Sequence, residues 1–163
     1  MTTAEKFKRG WSLMMEACSE GGWGDPFSYA RSREILMAVE LGHKISDTLS
    51  GADGIDEDGE CEYKSTIGKN IKAKYSGISV QPSWELQLEY LKTEKIGKYP
   101  NHYIARFDSN GIAECWKMTS DSVLECLLPK LEKNYYTVGK TKDPRLYADL
   151  SMSEIKKYGI KLI

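Results

Sequence analysis

The chain has 163 residues, of which 40% are hydrophobic and 29% charged, and its formal net charge is −1. This composition is typical of one globular domain, and we expect residues 1–163 to fold as a single unit. It excludes a low-complexity protein, and no apolar run reaches the roughly 18 residues of a membrane span, so we expect no membrane partner.

The first third of the chain predicts two helices. Apolar residues at three- and four-residue spacing predict an amphipathic helix over residues 3–20, which ends at "GGWGDP" (21–26). We expect Ser28 to cap a second helix that runs to about Ile45. Its stretch from Ile35 to Val39 is apolar on nearly every side, which indicates burial against a sheet or a second subunit.

The middle of the chain predicts strands around a tight turn. Asp58-Gly59 is a strong hairpin signal between "DGID" and "ECEYKST". The segment "IKAKYSGISV" (71–80) predicts a further strand. After it, "PSWELQLEYLKTEKIG" (82–97) predicts a helix with Pro82 in its first turn and Gly97 at its end.

The last third predicts a second hairpin and two more helices. "HYIARFD" and "IAECWKM" alternate apolar residues on either side of a turn at 109–111. "SDSVLECLLPKLEKN" (120–134) predicts a helix with a serine cap, and we expect Pro129 to end or kink it. The tail predicts one short helix and a final strand. This order predicts an α/β (α+β) fold with a central mixed β-sheet flanked by helices.

The cysteines and histidines indicate a reduced protein without zinc. No C-x-x-C pair occurs among Cys18, Cys61, Cys115 and Cys126. The N-terminal segment also lacks the continuous apolar core of a secretory signal. We therefore expect free thiols and a cytoplasmic location. Neither histidine has a cysteine at ligand spacing, which disfavours zinc.

Charge is divided unevenly along the chain. Residues 1–62 hold 6 Lys/Arg against 13 Asp/Glu, whereas residues 63–163 hold 17 against 11. The change falls within the acidic segment "SGADGIDEDGECEYKST" (50–66). A basic C-terminal part is compatible with a polyanionic partner.

Within the acidic segment, three residues form a candidate catalytic group. Glu62 and Lys64 are two residues apart, so on a strand their side chains share a face. Asp53 precedes them across a tight hairpin, which can bring its carboxylate near that of Glu62. Two carboxylates suit Mg²⁺, which lowers the pKa of bound water and offsets charge on a phosphate. The adjacent lysine can orient or deprotonate that water.

The motif "GAD…ECEYKS" resembles the PD-(D/E)XK nuclease superfamily, especially type II restriction endonucleases. The resemblance implies that Asp53 and Glu62 are catalytic metal ligands, that Lys64 is the catalytic lysine, and that the main-chain carbonyl of Tyr63 faces the metal. Ala52 stands where many members have proline. The resemblance also implies the restriction-endonuclease-like form of the mixed sheet, and Glu34 as an additional acid in some members. A surface glutamate near Arg31 or Arg33 is an equally good interpretation of Glu34.

Other acidic residues of the segment have simpler interpretations. We expect solvated hairpin-tip charges at Asp56, Glu57, Asp58 and Glu60. A calcium-binding EF-hand loop is excluded, because its register would place Gly54 at position 1 and Ser65 at position 12, where Asp and Glu are required. We expect His102 to be structural, and a helix-end dipole explains His43.

The segment after the candidate lysine predicts contacts with nucleic acid. Lysines neutralise phosphates, and amides pair with base edges. The residues expected to contact DNA are Lys69, Asn70, Lys72, Lys74, Tyr75, Ser76 and Gln81. An ordinary polar strand and loop is the alternative. Further cations for backbone contacts are Arg106, Lys130, Lys133, Lys140 and Lys142.

The sequence thus predicts a Mg²⁺-dependent type II restriction endonuclease that hydrolyses double-stranded DNA. The resemblance implies 5′-phosphate and 3′-hydroxyl ends. Two-fold symmetry of a palindromic site would require a homodimer. Two alternatives stay open: a repair, recombination or phage DNA-processing nuclease with the same site, and a non-catalytic nucleic-acid-binding module whose acidic hairpin is only solvated.

Overall fold

A computed structural model describes residues 1–47, 51–138 and 144–163 of the chain. Within these residues lie five α-helices and eight β-strands, a mixed α/β fold. The helices are α1 (Thr3–Gly21), α2 (Arg31–Leu41), α3 (Trp84–Tyr90), α4 (Ser120–Val138) and α5 (Met152–Tyr158). The strands are β1 (Lys44–Ile45), β2 (Gly54–Asp56), β3 (Gly59–Ile67), β4 (Ala73–Ser79), β5 (Asn101–Asp108), β6 (Gly111–Thr119), β7 (Arg145–Leu150) and β8 (Ile160–Lys161). None of the helices in these ranges is long and apolar enough to cross a membrane.

The central sheet is mixed, as predicted. Its order is β1-β2-β3-β5-β6-β8. β3 and β5 run parallel, with Glu62 opposite His102, and the other neighbouring strands are antiparallel. β4 and β7 form a separate two-stranded antiparallel sheet. The candidate catalytic strand β3 therefore lies in the interior of the sheet.

The two faces of the central sheet bury separate cores. On one face, Tyr63, Tyr103 and Ala105 pack with Met37 and Ala38 of α2. On the other face, residues such as Ile104 and Met118 pack with α4, β4 and β7. Because strand residues alternate, Glu62 and Lys64 lie on the face that carries Ile104.

Local signals account for most helix boundaries. α1 begins at a capping box formed by Thr2 and Glu5, and α5 at one formed by Ser151 and Glu154. These two helices, both hairpins, the strand at 73–79 and the final strand are confirmed. The segment predicted as a helix over 82–97 forms α3, capped by Ser83, and then a π-helical turn at Leu91–Lys95.

The predicted bounds of α2 are wrong at both ends. Ser28 is not the cap, since α2 follows Ala30 and the Ser28 carbonyl accepts a bond from the Arg31 N–H at 2.9 Å. The helix ends before Gly42, whose φ of 70° breaks it. Lys44–Ile45 pairs with β2 instead of extending the helix. The apolar stretch is also buried on one side only, because Met37 and Ala38 are buried whereas Val39 is exposed.

The fourth helix does not end at Pro129. It continues to Val138, although proline removes a helical hydrogen bond at a cost of about 3 kcal/mol. Leu127 and Leu131 on either side of the proline are fully buried, and their burial outweighs that cost. The predicted serine cap is also wrong, since the Thr119 hydroxyl accepts the Ser122 N–H at 3.2 Å.

Candidate active site

The β2–β3 hairpin places Asp53 against the strand that carries Glu62. Gly54 pairs with Cys61, and the Asp53 N–H donates to the Cys61 carbonyl at 3.1 Å. The Tyr63 N–H donates to Oδ2 of Asp53 at 2.8 Å. A Cβ on Gly54 would lie 2.4 Å from the Tyr63 hydroxyl, so glycine is required there. The backbone therefore fixes the Asp53 carboxylate beside residues 61–63.

Glu62 and Lys64 complete the group from one face of β3. Their side chains are 17% and 25% exposed and form an ion pair. Both line a cavity of about 270 Å³ together with Asp53 and Glu34. The three residues predicted to be catalytic therefore converge on one space.

Burial and mutual repulsion control the protonation of these acids. Burial and then the neighbouring Glu62 raise the pKa of Asp53 to about 7, against the opposing hydrogen bond from the Tyr63 N–H. Burial also raises the pKa of Glu34, although Arg31 opposes this. A second negative charge in the cavity is therefore costly unless a cation accompanies it.

The donor set fits a hard divalent cation that retains water ligands. Within residues 1–47, 51–138 and 144–163, no three His, Cys, Asp or Glu side chains gather into a complete metal site. Two carboxylates with a main-chain carbonyl suit Mg²⁺, which keeps several waters and takes other ligands from phosphate. Burial and the neighbouring Glu62 carboxylate raise the pKa of Asp53, and a bound cation would favour its ionised form.

Glu34 lines the cavity, but its carboxylate already forms an ion pair within the protein. Its Oε2 lies 3.6 Å from Nη1 of Arg31. Arg31 is 1% exposed, and it also donates to the carbonyls of Trp23 and Ser46 at 2.8 and 2.6 Å. Its place in the cavity is compatible with an additional acid of the site, and its pairing with Arg31 is compatible with a purely structural glutamate.

Arg33 is a cavity residue that the sequence analysis did not select. It lines the same space as Asp53 and Lys64. Its Nε atom is buried and finds no hydrogen-bond partner among the described residues. A buried donor without a partner costs about 1–3 kcal/mol, so Arg33 is held beside the cavity with part of its hydrogen-bonding capacity unused. Its sequence signal, one arginine on a helix, is too common to identify it.

Lys64 contacts the first member of a buried series of hydrogen-bonded groups formed by Tyr75, His102 and the Ile96 carbonyl. Its Nζ lies 5.0 Å from the centre of the Tyr75 ring, a cation–π contact. The Tyr75 hydroxyl lies 2.9 Å from Nδ1 of His102, and His102 Nε2 lies 2.9 Å from the Ile96 carbonyl. Because a carbonyl only accepts, Nε2 carries the proton and Nδ1 accepts from Tyr75. Burial lowers the pKa of His102, which keeps it neutral.

This arrangement removes Tyr75 from the predicted DNA-contacting surface. Tyr75 is 5% exposed, and its ring lies beneath Lys64. The exposed Lys72, just before β4, and the exposed Lys74 and Ser76 on it alternate with the buried Ala73 and Tyr75. The alternation places Tyr75 on the core side.

The other residues predicted to contact DNA are accessible to different extents. Lys69, Asn70, Lys72, Lys74 and Ser76 are exposed. Gln81 is half-buried, and its backbone bonds to Gln87 and Tyr135.

Two of the further basic residues considered for DNA-backbone contacts already form ion pairs within the protein. Arg106 pairs with Glu114 at 3.1 Å, and Lys130 with Glu154 at 2.7 Å. Lys133 is exposed. Lys140 and Lys142 lie outside the described residues.

A second cavity of about 300 Å³ shares Glu62 and Lys64 with the first. Its wall also carries Lys95 and Lys98, which are exposed. Lys95 ends the π-helical turn and Lys98 follows it. The sequence analysis did not select them because their position near Lys64 depends on the crossover between β3 and β5. They add positive charge on the outer side of the candidate site, partly offset by the exposed Glu94 of the same wall.

The hairpin tip differs from the prediction at Asp56. This side chain accepts hydrogen bonds from Asn101 Nδ2 at 2.9 Å and from the Tyr103 hydroxyl at 2.8 Å. Burial raises the pKa of Asp56, but these hydrogen bonds outweigh it and lower the pKa below its usual value. Asp56 is therefore structural, whereas Glu57, Asp58 and Glu60 are exposed, as expected.

The two histidines are both held by tyrosines. His43 Nδ1 lies 2.7 Å from the Tyr63 hydroxyl, so it contacts the face of β3 opposite to Glu62 and Lys64. His102 is fully buried.

Comparison of the chain with models of known protein families and with curated proteins finds no match. The class of protein therefore has to be argued from the site alone.

Proposed function

We propose that this protein is a Mg²⁺-dependent endonuclease of double-stranded DNA, of the type II restriction kind. The observation that carries the proposal is the single cavity lined by Asp53, Glu62 and Lys64, in which the pKa of Asp53 is raised to about 7. Perturbed acids beside a lysine in a cavity are typical of catalytic sites. Its products would have 5′-phosphate and 3′-hydroxyl ends.

Asp53, Glu62 and the main-chain carbonyl of Tyr63 would hold the Mg²⁺ ion. When bound, the cation activates water and offsets negative charge on the scissile phosphate. Lys64 would move or hold the proton of the attacking water, because its Nζ is positioned by both Glu62 and the Tyr75 ring. Tyr75 and His102 would act as positioning residues.

Arg33 lines the same cavity, and its guanidinium would donate to a phosphate oxygen there. Lys95 and Lys98 would neutralise phosphates at the outer cavity, and exposed residues of the segment 69–76 would extend this contact along the duplex. In this proposal the residues of the first cavity carry out the chemistry, and the residues of the second cavity and of the segment 69–76 bind the DNA backbone.

A palindromic site presents the same bond on both strands. Cutting both requires two active centres related by a two-fold axis, and we propose a homodimer. The four cysteines are buried free thiols, which fits the reducing cytoplasm as its location.

Digestion of plasmid DNA tests the proposal. We expect Asp53→Ala and Lys64→Ala to lose at least about 10²-fold in cleavage rate while DNA binding persists. Matched controls are Glu60→Ala and Lys92→Ala, which change exposed residues of the same charge. Full cleavage by either site variant, or cleavage that a chelator does not stop, would overturn the assignment.

The form of the products separates the alternatives. Discrete bands indicate a site-specific endonuclease. Cutting confined to branched or nicked DNA indicates a repair or DNA-processing enzyme with the same site. DNA binding without any chelator-sensitive hydrolysis indicates a non-catalytic module.

Thermal denaturation with Mg²⁺ gives a readout independent of activity. At a concentration about one hundred times the dissociation constant, the ion should stabilise the folded chain by about 2.7 kcal/mol. Asp53→Asn should remove most of this gain, whereas Glu60→Gln should retain it.

A further inference from the structure

Helix α1 presents apolar side chains that its own chain does not cover. Leu13 is 53% exposed, and Cys18 is the one buried residue of the helix. The Trp11 ring stacks on Phe27 at 3.9 Å, which attaches one side of α1 to the following loop. The side that carries Leu13 faces away from this attachment, because the two residues are 200° apart around a helix.

No contact within the chain explains why residue 10, in the middle of α1, is a glycine. Glycine in the middle of a helix costs about 0.5–1 kcal/mol relative to alanine. A Cβ at this position would meet no atom within 4 Å. Gly10 and the small residue Ala17 lie on the same side of α1 as Leu13, where they would let a second helix approach closely.

The charges of α1 are complementary to those of the same helix reversed. Lys6 and Arg9 lie in its first half, and Glu16 and Glu20 in its second half. None of the four has an ion-pair partner among the residues the structure describes. Glu16 and Glu20 are also four apart, a repulsive spacing that nearby cations would relieve.

We propose that α1 pairs antiparallel with α1 of a second copy of this chain, about a two-fold axis at Leu13. Positions 6, 10, 13, 17 and 20 are spaced 4-3-4-3, the repeat of a left-handed helix pair. In this arrangement Leu13 meets its own copy, and the Gly10 and Ala17 positions interleave.

The same axis brings unlike charges together. Lys6 lies level with Glu20 of the second copy, and Arg9 lies within one residue of the level of Glu16. Lys6 and Glu20 lie in line with Leu13, since each is seven residues, or nearly two turns, away from it, and Arg9 and Glu16 lie together about 40–60° to one side of that line, opposite Gly10 and Ala17. Symmetry repeats each pair, so the interface has four ion pairs around Leu13.

This interface deepens the proposed function, since it supplies the second active centre that a two-fold DNA site requires. Its test does not depend on catalysis. The molar mass is measured by sedimentation without DNA or Mg²⁺ over a range of concentrations, so loss of nuclease activity and loss of the dimer are observed separately.

Charge reversal gives the decisive variants. Glu20→Lys and Lys6→Glu should each weaken dimerisation by about tenfold or more, because each creates two like-charge contacts. The double variant Lys6→Glu/Glu20→Lys should restore it. Lys8→Glu is the matched control, since Lys8 carries the same charge on the opposite side of α1. Circular dichroism verifies that each variant keeps its helix.

Gly10→Leu should also prevent the close approach and leave a monomer. A wild-type chain that stays monomeric up to roughly 100 µM, a weak affinity for a stable homodimer, would overturn the proposal. So would a dimer that the single reversals leave unchanged, because association would then use another surface.

Discussion

The base and the tip of the β2–β3 hairpin each carry an aspartate, and the pKa values of the two are shifted in opposite directions. At the base, Asp53 is buried beside Glu62, and its pKa rises to about 7. At the tip, Asp56 receives hydrogen bonds from Asn101 and Tyr103, and its pKa falls below its usual value. Acidic density alone therefore does not identify a functional carboxylate. The two carboxylates differ in their surroundings, because burial and a neighbouring acid dominate at Asp53 whereas hydrogen bonds dominate at Asp56.

Substitution at the base should stabilise the protein without metal. The unfolded chain releases the Asp53 proton near pH 4, whereas the folded chain retains it to about pH 7, so wild-type stability falls as pH rises through this window. Asp53→Asn should therefore be more stable above pH 7, by roughly 2–4 kcal/mol. The two proteins should converge near pH 4. Urea unfolding at several pH values in a chelator measures the difference.

Parallel pH dependences of wild type and Asp53→Asn would show that the carboxylate is not perturbed. A loss of stability in Asp53→Asn would show that the Tyr63 N–H contact outweighs the burial of charge.

Substitution at the tip should have the opposite sign. Asp56→Ala removes the acceptor of the Tyr103 hydroxyl and one of the two carboxylate acceptors of Asn101 Nδ2, the other being Asp58. It should lower the free energy of unfolding by roughly 1–3 kcal/mol at pH 7. The loss should shrink as pH falls below the usual Asp pKa, since the folded pKa of Asp56 is the lower one. Glu60→Ala, an exposed change in the same hairpin, should alter stability by less than about 0.5 kcal/mol. Equal effects of the two changes would contradict a structural role for Asp56.

The smallest expected effect concerns the support of Lys64. Tyr75→Phe keeps the ring under Nζ but removes the hydroxyl that reaches His102. The buried Nδ1 atom loses its donor, which should cost about 1 kcal/mol. Cleavage should fall by less than about tenfold, and its pH profile should shift, because the environment of Lys64 changes while Lys64 remains.

Tyr75→Leu sharpens this test, since it also removes the cation–π contact. A larger fall in cleavage for Tyr75→Leu than for Tyr75→Phe assigns the positioning to the ring. Equal effects would assign it to the hydroxyl and His102.

Features encoded by neighbouring residues were predictable from the sequence. The Asp58-Gly59 turn and the two-residue spacing of Glu62 and Lys64 fix the hairpin and the shared face within 12 residues of Asp53. Strand alternation also predicts the burial of Tyr75, since its side chain points to the face opposite to that of Lys72 and Lys74.

Features that depend on distant residues were not predictable. Asp56 finds its partners 45 and 47 residues away, so its structural role is invisible in its own segment. Arg33 and Lys98 reach the site through packing of α2 and through the crossover that precedes β5. α4 continues through Pro129 because the core around it, and not local propensity, decides where the helix ends.

The pairing of the central strands has a consequence for how the molecule opens. Residues 59–61 of β3 pair with β2 and residues 62–67 with β5, whereas β5 is bonded along nearly its whole length to both β3 and β6. Amide protons of β5 should therefore exchange with solvent more slowly than those of β3 beyond residue 61, and in the monomer those of α1 should exchange much sooner. Fraying of the N-terminal helix in the monomer would leave the candidate carboxylates and lysine in register.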